Sequence, residues 1–239
     1  KKSFKEYLLE GLMIFIAVTM GFIAENIREH ITDNTKEKEY IVSMLKELKS
    51  DSIQLAEVFK DTIRIEKLDS LSTFLLSKDE SQQTIKNVYR LSSFAVSFNA
   101  ITFNRNTLTQ LKSAGNMRLI RKQNVVDSLN KLDNLITELN TQLADYLKYL
   151  SENVRERYSV LDFSLFVKDG RRFKSDEVLN SATVFTYLTN DKKKVIEFGG
   201  HILSQRGALA VYFRMLKQYS TYSNALIIFL QKEYHLQHE

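Results

Sequence analysis

The chain contains no proline in 239 residues. Average usage near 5% would place about a dozen in a chain of this length. Proline removes a backbone donor and its ring clashes with the preceding turn, so its absence suits long uninterrupted helices. Glycine is also scarce, at seven, whereas a sheet-rich chain of this size needs many turn residues. The expected fold class is all-α.

The next constraint is the run at residues 7–24, YLLEGLMIFIAVTMGFIA, in which Glu10 is the one charge. At ~1.5 Å per residue it reaches about 27 Å, just enough for a hydrocarbon core of ~30 Å. Residues 11–24 are apolar on every side, whereas a helix in a soluble core keeps a polar stripe. Cleavage after Ala24 would put Phe22 where a leader needs a small residue, so an uncleaved anchor is expected. The reading divides the chain into a short cytoplasmic tail with one N-terminal transmembrane helix, residues 1–32, and a helical extracytoplasmic domain, residues 33–239. Lys1, Lys2 and Lys5 set the orientation, because a short lysine-rich tail resists translocation. Arg28, Lys36 and Lys38 follow the span, but long domains cross regardless of such charges. The expected location is a bacterial inner membrane, with the N-terminus cytoplasmic and the main domain periplasmic.

Two features of the span bear on function. Ala17 and Gly21 form a small-xxx-small pair with Ala24 next on the same face, and such faces let membrane helices approach closely. Glu10 is costly in hydrocarbon. Its place in the first turn reads first as a carboxylate reaching the interface, with contact to a partner helix or ion handling as alternatives.

Beyond the span, the anchor helix is expected to run through residues 25–31 and break at Asp33-Asn34, with a new helix from near Thr35. Ile41, Leu45, Leu48, Leu55 and Phe59 alternate by four and three, with Ser52 in the gap, and Leu68, Leu71 and Leu75 continue the stripe to a polar stop at 78–82. A shorter helix is expected over about 83–98. The clearest stripe is Val125, Leu129, Leu132, Ile136, Leu139, Leu143, Tyr146 and Leu150, a coiled-coil-like seam. A final helix repeats the rhythm at Leu209, Tyr212, Leu216, Tyr219, Ser223, Leu226 and Leu230. Apolar residues beside each seam, such as Leu135 and Leu147, favour a long-helix antiparallel bundle over an intermolecular coiled coil. Gly115 is placed to take the left-handed conformation that closes a helix. Residues 163–174 break the helical period and read as an irregular or hairpin insertion turning at Asp169-Gly170. That stretch gathers Lys168, Arg171, Arg172 and Lys174 into a candidate docking loop.

Three stretches resemble an uncharacterised, Bacteroidota-type family of single-span bacterial membrane proteins with a helical extracytoplasmic domain. They are the anchor YLLEGLMIFIAVTMGFIAENIRE, the turn-bearing TLTQLKSAGNMRLIRKQNVVDSL and the closing ALIIFLQKEYHL. Members of that family often carry tryptophan just after the span, where this chain has Ile27 and Arg28. The resemblance implies architecture and no activity.

No residue pattern points to catalysis. With no cysteine, disulfide frameworks, thiolate metal sites and cysteine nucleophiles are excluded. His235 and His238 have a helical metal spacing, but no further ligand pattern completes it. Gly199-Gly200 lacks the lysine and hydroxyl residue of a phosphate loop. The net charge of +5 is modest, and basic clusters with interleaved aromatics are absent, so nucleic acid is not an expected partner. No cofactor or enzymatic activity is expected. The leading expectation is a non-enzymatic scaffold or accessory subunit whose partners are membrane lipid and other membrane protein subunits, or further copies of itself. The alternative is an extracytoplasmic sensor or ligand-binding bundle. The six residues before the span leave no room for an effector, so a sensor would signal through a partner helix.

Overall fold

The computed structural model describes residues 4–77, 79–168, 171–172, 175–181 and 184–236. The fold is all-helical apart from one minimal strand pair, and it opens with one long apolar helix. In chain order the helices are α1 (Phe4–Lys60), α2 (Ile63–Leu76), α3 (Gln82–Leu91), α4 (Asn106–Ser113), α5 (Gln123–Val160), α6 (Ser175–Leu179) and α7 (Lys192–Glu233). Strands β1 (Val167–Lys168) and β2 (Arg171–Arg172) lie between α5 and α6. The chain divides into two compact units: Lys1–Lys49 with Asn104–Asn130 and Leu226–Glu239, and Ser50–Phe103 with Lys131–Ala225.

In the first unit, α1 passes Asp33-Asn34 without interruption, where sequence reading placed a break. Asp and Asn disfavour helix interiors mainly by offering the backbone competing local bonds. Here the flanking hydroxyls bond back into the helix instead. Thr32 donates to the Arg28 carbonyl at 2.9 Å and Thr35 to the Ile31 carbonyl at 3.0 Å. Farther along, Ile41, Leu45 and Leu48 are buried as the stripe predicts. Helix α4 has no side-chain cap of its own. Glu47 supplies one from α1, its Oε1 accepting from the Thr107 amide at 3.0 Å and the Thr107 hydroxyl at 2.9 Å. A carboxylate there also meets the positive end of the helix dipole. After α4, Gly115 takes the left-handed conformation at φ 65°, as its place in the sequence predicts. Buried Glu37 on α1 then accepts from the Arg121 amide at 3.1 Å and from the hydroxyl of Tyr234, beyond the end of α7. Lys122 completes this junction, pairing with Glu233 at 3.0 Å and lying 4.9 Å from the Tyr234 ring centre.

In the second unit, the expected stripe through Leu68, Leu71 and Leu75 is buried, but α1 and α2 are separate helices. Around Asp61-Thr62 the bonds tighten to the three-residue kind, Arg64 N–H to Asp61 O at 3.0 Å and Ile65 N–H to Thr62 O at 3.1 Å. Such a 3-10 turn needs a local cause, and Arg64 provides one. Its guanidinium is nearly buried, pairs with Asp61 at 2.7 Å, and donates to the carbonyls of Phe94 (2.8 Å) and Ser97. It also lies 5.6 Å from the Phe94 ring centre. The helix expected over 83–98 is shorter than predicted: α3 ends at Leu91 and a 3-10 turn, Ser92–Ala95, follows. That end places the two carbonyls within reach of Arg64.

The long stripes are buried with few exceptions. On α7, Leu209, Tyr212, Leu216, Tyr219 and Ser223 are each 0% exposed. On α5, Leu132, Ile136, Leu139 and Tyr146 are buried, Leu143 and Leu150 half-buried. Leu147, read as widening the contact face, is 40% exposed and does not. The two helices touch through polar as well as apolar groups. The Asn153 amide donates to Gln205 at 2.8 Å, and Gln205 donates to the Ala95 carbonyl at 3.1 Å. Glu156 meets His201 one turn away, and Lys131 lies over Tyr222. These pairings descend α7 as they climb α5, so the two run in opposite directions here.

Candidate functional site

Three surfaces bear on function. The first is the N-terminal half of α1. Because the helix is unbroken, Glu10, Ala17, Gly21 and Ala24, spaced seven, four and three apart, fall on one face. None of the apolar run is buried by other described residues. Leu12 (53%), Met13 (64%), Ile14 (65%) and Phe15 (68%), consecutive residues that circle the helix, all stand exposed. A Cβ built on Gly21 would meet nothing within 4 Å. The polar Thr19 is satisfied internally, its hydroxyl donating to the Phe15 carbonyl at 2.8 Å. The apolar surface gives way to charge at Glu25 and Arg28, paired at 2.6 Å in the open.

The second is the basic insertion. β1 and β2 pair antiparallel, Val167 opposite Arg172 and Lys168 opposite Arg171. The pairing matches the expected hairpin; the turn residues Asp169-Gly170, and Lys174, lie outside the described residues.

The third surface was not anticipated from sequence. A cavity of about 600 Å³ opens beside the end of α2, the start of α3 and the start of α7. Leu75, Leu76, Ile85, Val195 and Ile196 give it an apolar floor. One wall is Thr186, Tyr187, Thr189 and Asn190, from a stretch outside the helices that is nonetheless pinned. The Gln82 side chain holds the Phe185 backbone through both its amide nitrogen (3.0 Å) and its oxygen (2.9 Å). Tyr89 donates to the Thr186 carbonyl at 2.7 Å, and Leu188 N–H reaches Val160 at 2.8 Å. Gly199 sets the floor, because a Cβ there would sit 3.0 Å from side-chain atoms of Leu75 and Leu76. The lining comes from distant stretches with no shared motif, so only the conspicuous Gly199-Gly200 pair was visible in the sequence. Gly199 admits close helix packing, whereas a Cβ on Gly200 would meet nothing within 4 Å.

The cavity is electrostatically biased. Asp79 accepts from the Ser81 amide and from the hydroxyls of Ser81 and Thr84. The Thr84 bond, then those from Ser81, hold its carboxyl below the ordinary range. Burial first, then the charges of Glu80 and Asp79, push the Tyr187 phenol up to about 12, so it stays protonated. Among the described residues, no group of three or more His, Asp or Glu is placed to hold a metal ion. Compared with known protein families, with characterised proteins and with solved structures, the chain matches none.

Proposed function

We propose that this chain is a membrane-anchored, non-enzymatic helical scaffold or accessory subunit. Its span is the apolar part of α1, its N-terminus is cytoplasmic, and its helices pack as an antiparallel bundle outside the bacterial inner membrane. The observation that carries the reading is the α1 surface over residues 8–24. Apart from Glu10 it carries no charge, its large apolar side chains are exposed on every side, and no other part of the described chain covers it. Hydrocarbon or the helix of another chain would cover it, and exposed apolar area of that extent marks an interaction surface. The small-residue face with Glu10 at its head makes the span a recognition element and not a passive anchor.

Orientation is tested through the absence of cysteine. Ser113→Cys, at an exposed position, should react with an impermeant maleimide in intact spheroplasts. Labelling only after permeabilisation would reverse the orientation. Assembly is tested by Gly21→Leu, which should hold helix backbones apart. A membrane helix contact is worth ~1–2 kcal/mol, so the expected loss is partial for Gly21→Leu and larger with Glu10→Leu added. Ile14→Leu is the control, since Glu10→Leu also makes the span more apolar. The measurement is recovery of partner chains, or of the homo-oligomer, after mild detergent extraction. Full recovery with the double variant would leave the span as an anchor only.

A further inference from the structure

We propose that the cavity beside Leu76 and Ile196 is a binding site for a small amphipathic amine, a molecule with an apolar body and one cationic head. The assignment does not rest on the membrane reading, because no cavity residue belongs to α1. Its size and makeup fit: about 600 Å³ lies within the ~300–1,000 Å³ of ligand pockets, which pair apolar walls with a few placed polar groups.

The apolar floor is open as well as present. Leu76 is 42% and Ile196 52% exposed, so both hold apolar area that a ligand body would remove from water. The floor is also preformed. The tight approach at Gly199 fixes Leu75 and Leu76 against α7, and four hydrogen bonds pin the opposite wall. Binding to such a site loses little to ordering.

The polar end selects the head group. Lys192 is the one cation on the described lining, and Glu80 already pairs with it at 2.8 Å. At the start of α7, Asp191 already accepts from the Lys193 amide at 2.9 Å, which puts a carboxylate where an anion would otherwise be drawn. Among the described lining residues the carboxylates of Asp79 and Glu80 outnumber that one cation, and Asp79, kept ionised by its hydrogen bonds, has no ion pair. The Tyr187 hydroxyl, half-buried and protonated, has no hydrogen-bond partner among the described residues and is free to accept from an ammonium. An anionic head would face Asp79 and Glu80 directly; a neutral one would forgo the charge.

The test exploits a chain with no tryptophan, in which any indole emission belongs to the ligand. The full chain in lipid nanodiscs is titrated against tryptamine, tryptophol and indole-3-propionate, which share a body and differ in the head. Empty nanodiscs are subtracted. Tryptamine should bind saturably with a blue-shifted emission, roughly ten-fold tighter than tryptophol, as suits one charge-assisted contact. The propionate should bind more weakly still. Ile196→Lys, at an exposed position in the mouth, should abolish tryptamine binding, and its circular dichroism and melting midpoint should match the parent. Tyr187→Phe should weaken tryptamine a few-fold with less effect on tryptophol. Equal affinity for all three heads, tighter binding of the propionate, unaltered binding by Ile196→Lys, or no saturable binding of tryptamine would each overturn the assignment.

Discussion

Replacing Arg64 by Met is expected to destabilise the second unit by about 3–5 kcal/mol, the cost of breaking a buried charge pair from one side. The Met side chain fills similar volume, so the loss comes from what Arg64 leaves behind. The carbonyls of Phe94 and Ser97 lose their donor; a buried acceptor left unsatisfied costs ~1–3 kcal/mol, which applies to half-buried Phe94, whereas Ser97 is exposed and water can replace its donor. Asp61 loses its partner, though its side chain is 31% exposed and water recovers part of that. Arg64→Lys should recover only part of the loss, since an ammonium cannot reproduce the planar fork that reaches Asp61 and two carbonyls together. The exposed Arg90→Met is the control, expected within ~0.5 kcal/mol. Urea midpoints at unchanged slope read the difference. Equal midpoints for Arg64→Met and Arg90→Met would show that the guanidinium does not hold the α1–α2 turn.

The second large effect concerns the seam of α5. Leu132, Ile136 and Leu139 are 2%, 1% and 1% exposed, so each change to alanine should cost ~2–5 kcal/mol through lost burial and the cavity left behind. Asn134 and Glu138 lie between them and are exposed; their alanine variants should stay within ~0.5 kcal/mol. Leu147, at 40% exposure, should behave like the second group although it is a leucine on the same helix. A Leu147→Ala loss as large as that of Leu139→Ala would mean the buried face of α5 is wrongly phased.

The elements legible in the sequence are those whose cause is local or periodic. Val125 to Tyr146, and Leu209 to Leu230, repeat at four and three because one face of each helix meets other side chains, and burial follows the repeat. Gly115 was legible because a helix stop favours the one residue without a Cβ. The 167–172 hairpin was legible because Asp-Gly between short extended runs is a turn signal. What was not legible depends on distant partners. Asp33-Asn34 reads as a break by propensity, a weak local preference that the long α1 overrides. The Asp61-Thr62 interruption lies between a stripe ending at Phe59 and one starting at Leu68, and its cause is an arginine whose acceptors come some thirty residues later. The cavity floor depends on Gly199 approaching Leu75 and Leu76, more than a hundred residues earlier in the chain. The pairing of Asn153 with Gln205 inside two apolar seams is of the same kind.

The passage of α1 through Asp33 and Asn34 has a mechanical consequence on the proposed membrane placement. A helix that stopped at the surface would leave four carbonyls to be satisfied there, and the loop carrying their partners would fix its depth. Here the hydrogen-bond ladder continues from Phe4 to Lys60, roughly 85 Å at ~1.5 Å per residue. Depth is then set by side chains alone, between Glu10 at one edge and the Glu25–Arg28 pair at the other. The span can slide or tilt to suit bilayers of different thickness, at fractions of a kcal/mol per Å, without opening a backbone bond. A change in bilayer thickness would thus be transmitted as an axial displacement of Glu37, thirteen residues beyond Ala24 on the same rod, and of the Arg121 and Tyr234 contacts it holds.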